Sequence, residues 1–271
     1  MLRKDKFGGH SEILGYNIRE IVLDEKLNNT LYTQPVLLAV SISIWNALRS
    51  KLATLPKVAA GHSLGEYSAL VAANALSLKD GLDLVSYRAS LMVEHSKNNP
   101  TSMAAVIGLD QNKIIKLCES ISEQNSIIEA VNFNSPQQTV VGGHADAINR
   151  AIDIFKKEGA KLVKKLSVSL ASHTSLLKIC SGDLSKYMNN MSFNMPLFPI
   201  IHNFDASSKT QISDIISSLS EQVCSPVKWT ESMIRVSDMG INTFLEVGPG
   251  QVLTGLSKRI DKSFITYPLF K

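Results

Sequence analysis

Gly61-His62-Ser63-Leu64-Gly65 stands between a short apolar run, Val58-Ala59-Ala60, and a stretch rich in Ala and Leu that reads as a helix over Glu66 to Leu78. A serine with glycine two residues away on each side, after a strand and before a helix, is the pattern of a nucleophile elbow. The glycines matter because the serine of such a turn takes strained backbone and its neighbours two residues away crowd the turn. The pattern predicts an α/β layering. It also places Ser63 at a helix N-terminus, where the dipole and free N–H groups favour developing negative charge. A glycine-bordered helix cap without chemistry is the plainer alternative.

Composition narrows the class. At 271 residues the chain is too long for one minimal domain and too short for three. With 44% hydrophobic and 19% charged residues it is neither disordered nor a coiled coil. No apolar run approaches the ~18 residues of a membrane span, and the charged start Met1 to Lys6 does not read as a secretory signal. Cys118, Cys180 and Cys224 are far apart and odd in number, which argues against a zinc site or a disulfide framework and for a reducing cytoplasm. No metal site is predicted. A net charge of +4 with 6% aromatic residues does not point to nucleic acid and suits an acidic partner.

Periodicity orders the rest. Gln34 to Leu52 reads as a helix with Pro35 in its first turn, and Leu82 to His95 as another. Met103–Gly108, Gln111–Gln124, Ile127–Phe133, Gln138–Val141, Ala145–Glu158 and Lys161–Leu166 then read in the order βαββαβ. The prediction is a ferredoxin-like subdomain over 101–168 inserted into a larger α/β core of 1–100 and 169–271. Within the core, Phe198 to Asn203 and Thr243 to Val247 read as strands, and Ile212 to Gln222 and Thr230 to Met239 as helices. Gly248-Pro249-Gly250 lacks the third glycine of a dinucleotide fingerprint, since Leu253 stands there, and reads as a plain strand-to-helix turn.

A serine nucleophile needs a base, and histidine is the usual one. His10 lies in a polar leader, and His95 and His144 in segments read as exposed. His62 is placed to brace the elbow rather than to reach around to Ser63. His173 follows the strand-like run Ser167 to Ser172 and is the first choice; His202, ending another apolar run, is the second.

The ten residues Gly61 to Leu70 resemble the active-site signature of malonyl-CoA:acyl carrier protein transacylases. The resemblance continues through Gln34-Pro35, Tyr87-Arg88, Met103-Ala104-Ala105, Val131 to Pro136, Ser172-His173, Pro226 to Trp229 and Glu246 to Gly250. It implies a hydrolase-like parallel-sheet core with the ferredoxin-like subdomain inserted, and a cytoplasmic enzyme, usually monomeric, without cofactor. Malonyl-CoA and acyl carrier protein are the implied partners, in fatty acid biosynthesis. Ser63 would be malonylated and then yield the malonyl group to the phosphopantetheine thiol, with His173 as base and acid in turn. Arg88 would pair with the free malonate carboxylate. The Leu64 N–H would serve the oxyanion hole, and Met103, Asn132 and Asn134 would line the acyl pocket. The imidazole of His173 would be held by the backbone carbonyl of Lys228, with Lys where relatives often carry Gln.

The resemblance also predicts a departure. Relatives begin with an apolar strand and a Gly-Gln-Gly-Ser-Gln segment that supplies a second oxyanion donor, and neither is found ahead of Ser11. The expected consequences are unpaired neighbouring strands and a slower reaction, since one lost donor costs about 100- to 1,000-fold. Three readings therefore compete: a malonyl transferase, a serine thioesterase or hydrolase using the same pair, and a weakly active or inactive chain that only binds acyl carrier protein. Lys156, Lys157, Lys161, Lys164 and Lys165 form a basic cluster that reads either as a docking patch or as a solvated face.

Overall fold

Leading into the core, α1 (Gly8–Leu14), α2 (Ile18–Val22) and α3 (Thr30–Arg49) precede the first strand. This is a computed structural model, and it describes residues 8–97, 100–168 and 170–269. Asn29 caps α3 by accepting from the Leu31 N–H at 3.0 Å, so the helix starts one turn before the predicted Gln34 and carries Pro35 in its interior. Next come β1 (Ala59–Ala60), α4 (Leu64–Ala72) and α5 (Leu78–Ser96). Among the described residues α3 is the one helix long and apolar enough to cross a membrane by length and composition. Here Val36, Leu38, Ala39, Ile42 and Trp45 are buried in the largest apolar cluster, and α3 packs on α4 and α5.

The middle of the chain runs β2 (Thr101–Ile107), α6 (Gln111–Ile121), β3 (Ile128–Ser135), β4 (Gln138–His144), α7 (Ala145–Lys157) and β5 (Leu162–Lys165). The strands form one antiparallel sheet in the order β3-β4-β2-β5, the ferredoxin-like arrangement. Helices α6 and α7 cover one face over Val106, Ile114, Val141, Ile148 and Phe155, all fully buried. The other face carries Met103, Val131 and Val140 against Ala171, on the segment that leads to His173. The five lysines of the basic cluster are exposed at the outer edge, where the Lys165 Nζ donates to Asn149 Oδ1.

The last part returns to the core with α8 (Lys178–Met188), β6 (Ile200–Ile201), α9 (Ile212–Gln222), α10 (Trp229–Asp238), β7 (Thr243–Glu246), α11 (Val252–Ile260) and β8 (Ile265–Pro268). Its strands are parallel but fall into two pairs, β1 with β6 and β7 with β8. In a parallel ladder alternate residues bond the same neighbour. The Ala59 N–H donates to Pro199 and the Ile265 N–H to Asn242, so the backbone of Ala60, Thr243 and Leu245 faces away from the existing partners. Both open edges line one groove of about 920 Å³, which reaches His62 and Gly65 at the elbow. After β7, the Glu246 carboxylate accepts from the N–H groups of Leu253 and Thr254 at 3.0 and 2.7 Å. That carboxylate occupies the helix end a phosphate would need, so the turn is a structural one.

Candidate active site

The elbow has the geometry its sequence demands. Ser63 sits at φ 51°, ψ −108°, directly before α4. A Cβ on Gly61 would lie 1.9 Å from the Gly65 carbonyl carbon, so the strand and helix ends touch backbone to backbone. The Leu64 N–H opens the helix and finds no protein acceptor among the described residues. It is a free donor on the residue that follows the nucleophile.

The chain brings the first-choice base to the serine. Ser63 Oγ lies 2.8 Å from His173 Nε2. On the far side of the ring, Nδ1 lies 2.7 Å from the Gln222 carbonyl oxygen, at the end of α9. Since a carbonyl only accepts, Nδ1 carries the proton and Nε2 is free to take one from the serine. The acceptor is thus Gln222 and not Lys228. The Lys228 carbonyl is turned into α10, where the Ser232 N–H and Oγ–H bond it at 2.9 and 2.8 Å. Burial above all, and then the Arg88 guanidinium, hold the His173 pKa down to about 3 against a partly opposing bond to Gln222. The ring is therefore neutral and ready as a base at neutral pH. His173 takes a positive φ of 65°, and the next turn is held by Glu129, whose carboxylate accepts from the Ser175 N–H and hydroxyl.

Arg88 projects from α5 to the same point. It is 2% exposed, and its guanidinium donates from Nη1 to Gln34 Oε1 at 2.5 Å and from Nη2 to Ser63 Oγ and Gln222 Oε1, each at 3.2 Å. Its carbon lies 5.4 Å from the centre of the Tyr67 ring, and Nε has no partner. No carboxylate among the described residues forms a salt bridge with it. A buried cation served only by neutral oxygens is a site for an incoming anion.

The supporting residues fall into two groups. His62 is not a base for Ser63: its Nε2 lies 2.8 Å from Asn134 Oδ1, its ring packs near Trp229, and burial lowers its pKa. Met103 is buried with its sulfur 3.7 Å from Ser172 Oγ, next to His173. Asn132 is buried on β3 at the bridge to Val227. His202, the second-choice base, lies behind the elbow with Nδ1 2.7 Å from Glu66 Oε1. Glu66, Asn203 and Gln222 were not singled out by sequence. Asn203 accepts from the Ser63 N–H at 2.6 Å and donates to the Gly61 carbonyl at 2.7 Å. A usable signal existed for Glu66, a carboxylate on the buried, otherwise apolar face of α4.

The acyl transferase domain family matches residues 10–263. The chain belongs to this family. Among relatives of the acyl transferase, the malonyl CoA-acyl carrier protein transacylase of Haemophilus influenzae is 40% identical over 260 residues, covering 94% of this chain and 83% of that protein. The Escherichia coli K12 protein of the same name is 39% identical over 260 residues, covering 95% and 84%. Among solved structures, an acyl carrier protein S-malonyltransferase from Vibrio cholerae superposes with a TM-score of 0.92 at 41% identity, covering 97% of this chain and 87% of that one. A malonyl-transacylase in complex with a type II PKS acyl-carrier protein gives 0.94 at 38% identity, covering 97% and 86%. The acyl transferase shares their α/β core and antiparallel subdomain.

Proposed function

We propose that the acyl transferase moves a malonyl group from malonyl-CoA to the phosphopantetheine thiol of acyl carrier protein through malonyl-Ser63, in fatty acid biosynthesis. The observation that carries this reading is the convergence of three groups on one point. Ser63 Oγ is 2.8 Å from a neutral imidazole and 3.2 Å from a buried guanidinium that meets no carboxylate among the described residues. The nucleophile and base supply acyl transfer; the guanidinium supplies selection for an acyl group ending in a carboxylate. An acetyl thioester would leave Arg88 unpaired, and such a loss discriminates strongly.

In the first half-reaction the Ser63 hydroxyl attacks the thioester carbonyl while His173 Nε2 takes its proton. The oxyanion forms beside the Leu64 N–H. The C–S bond breaks, His173 returns the proton to the departing CoA sulfur, and Ser63 holds the malonyl ester. In the second half, His173 takes the proton of the carrier thiol, the thiolate attacks the ester, and the proton passes to Ser63 Oγ. Ser63, His173, Arg88, the Leu64 N–H and the carrier thiol account for every proton and charge in this cycle, so no step calls for a resident metal or cofactor. Met103, Asn132 and Asn134 stand as the pocket walls, contributed by the subdomain 101–168, while the core of 1–100 and 169–271 carries the nucleophile, base and arginine. We read the reaction as cytoplasmic and the enzyme as a monomer. Free, buried Cys118, Cys180 and Cys224 suit a reducing compartment.

Intact-protein mass spectrometry after brief exposure to malonyl-CoA tests the reading. One malonyl group should add to the wild type and none to Ser63→Ala, and the added mass should leave on addition of carrier protein. Loss of the group to water alone would replace the reading with a thioesterase. Absence of any adduct on a folded wild type would leave a carrier-protein binder.

A further inference from the structure

Behind the reacting atoms lies a buried chain of polar groups that no step of the cycle uses. Glu66 is fully buried on α4, one turn after Ser63. Its Oε2 accepts from the Asn203 backbone N–H at 2.9 Å and lies 2.8 Å from Gln222 Nε2. The other end of the Gln222 amide, Oε1, lies 3.2 Å from Arg88 Nη2. Gln222 Nε2 also reaches the Ser63 carbonyl at 3.0 Å.

The orientation of that amide is forced from both ends. The Asn203 N–H can only donate, so Glu66 Oε2 is an acceptor and must face the amide NH₂. Arg88 can only donate, so the amide oxygen must face it. Carboxylate, amide and guanidinium thus line up as acceptor, donor–acceptor and donor. We infer that Glu66 and Gln222 are positioning residues that form a polar relay, aiming the Arg88 guanidinium at the acyl carboxylate and setting the preference for carboxylated over uncharged acyl groups. The relay partly balances the buried cation without placing an anion against it, because the Glu66 carboxylate reaches it only through the neutral Gln222 amide. A carboxylate in direct contact would instead fill the site intended for substrate.

The inference rests on the proposed carboxylate-binding role of Arg88, and its test does not depend on turnover. In a Ser63→Ala background, which cannot be acylated, the Kd values for malonyl-CoA and acetyl-CoA are measured by calorimetry. The parent protein should prefer malonyl-CoA. Gln222→Leu keeps the main-chain carbonyl that holds His173 and removes both ends of the relay; the malonyl-to-acetyl preference should fall at least ~10-fold, the scale of a charge-assisted bond. Gln222→Glu, nearly isosteric, places an anion against Arg88 and should abolish the preference. Glu66→Gln tests the relay from its far end without altering Gln222 and should also lower the preference. Equal weakening of both ligands, or an unchanged ratio in folded variants, would overturn the relay and leave a structural role. A parent protein with no malonyl preference would overturn the Arg88 reading itself, and the relay with it.

Discussion

The two sheets of this molecule solve burial in opposite ways. In the subdomain four strands pair along a continuous ladder, and the covered face is Val, Ile, Ala and Phe. In the core the parallel strands stop at two pairs among the described residues, and the space around the elbow is filled by Glu66, Arg88, His173, His202, Asn203 and Gln222, each 2% exposed or less. Apolar packing is non-directional and tolerates change in small steps, whereas a buried polar network holds only if every member is satisfied. The difference teaches where each kind of damage should register: in stability for the subdomain, in chemistry and selectivity for the core.

The comparison can be broken most forcefully at Arg88. Arg88→Ala removes a buried charge that awaits a partner, so malonyl transfer should drop on the order of 100- to 1,000-fold and acetyl transfer far less, read as the two kcat/KM values. A proportional loss for both acyl groups would make Arg88 a packing residue. In the subdomain, Ile148→Ala empties a fully buried site under α7 and should cost about 2–5 kcal/mol in denaturant unfolding. Its kcat/KM below the unfolding transition should stay near wild type; a large kinetic loss would erase the distinction between the regions.

A smaller effect is expected from pH, and it sharpens the same contrast. The folded His173 pKa near 3 lies below the ordinary 6.5, so between those values the unfolded chain binds a proton the folded one refuses. Stability should therefore decline as pH falls from 6.5 toward 3, and His173→Gln should remove part of that slope. In kinetics, kcat/KM reports the free enzyme and should stay level to well below pH 6. A carboxylate bound to Arg88 offsets one cause of the depression, so the acid limb of kcat should sit at higher pH than that of kcat/KM. Coincident limbs would mean that the arginine does not communicate with the base.

Side-chain chemistry at fixed spacing was legible in the sequence; main-chain chemistry was not. Gly61 and Gly65 announced the elbow, but only Gly61 is required by space: a Cβ there would lie 1.9 Å from the Gly65 carbonyl carbon, whereas a Cβ on Gly65 would meet nothing within 4 Å. The βαββαβ order was legible because its strands and helices switch period cleanly, and α9 was read at its observed bounds, Ile212–Gln222. The acceptor for His173 was misread as Lys228 because a carbonyl oxygen leaves no mark on residue identity. Glu66, Asn203 and Gln222 were overlooked because their meaning lies in contacts 134 to 159 residues apart in sequence. Helices α1, α2 and α8 and strand β8 were not read either. They are short or weakly patterned, and β8 alternates exposed with half-buried residues, without a buried face.

Ser63 and His173, the two ends of the 2.8 Å contact, both take positive φ, at 51° and 65°. Each such conformation costs a non-glycine residue about 1–3 kcal/mol. Glycine would relieve both positions and abolish the reacting pair. Resistance to heat and turnover therefore pull in opposite directions at these two sites. A lineage selected for durability alone would drift toward glycine there, retaining the scaffold and losing the enzyme.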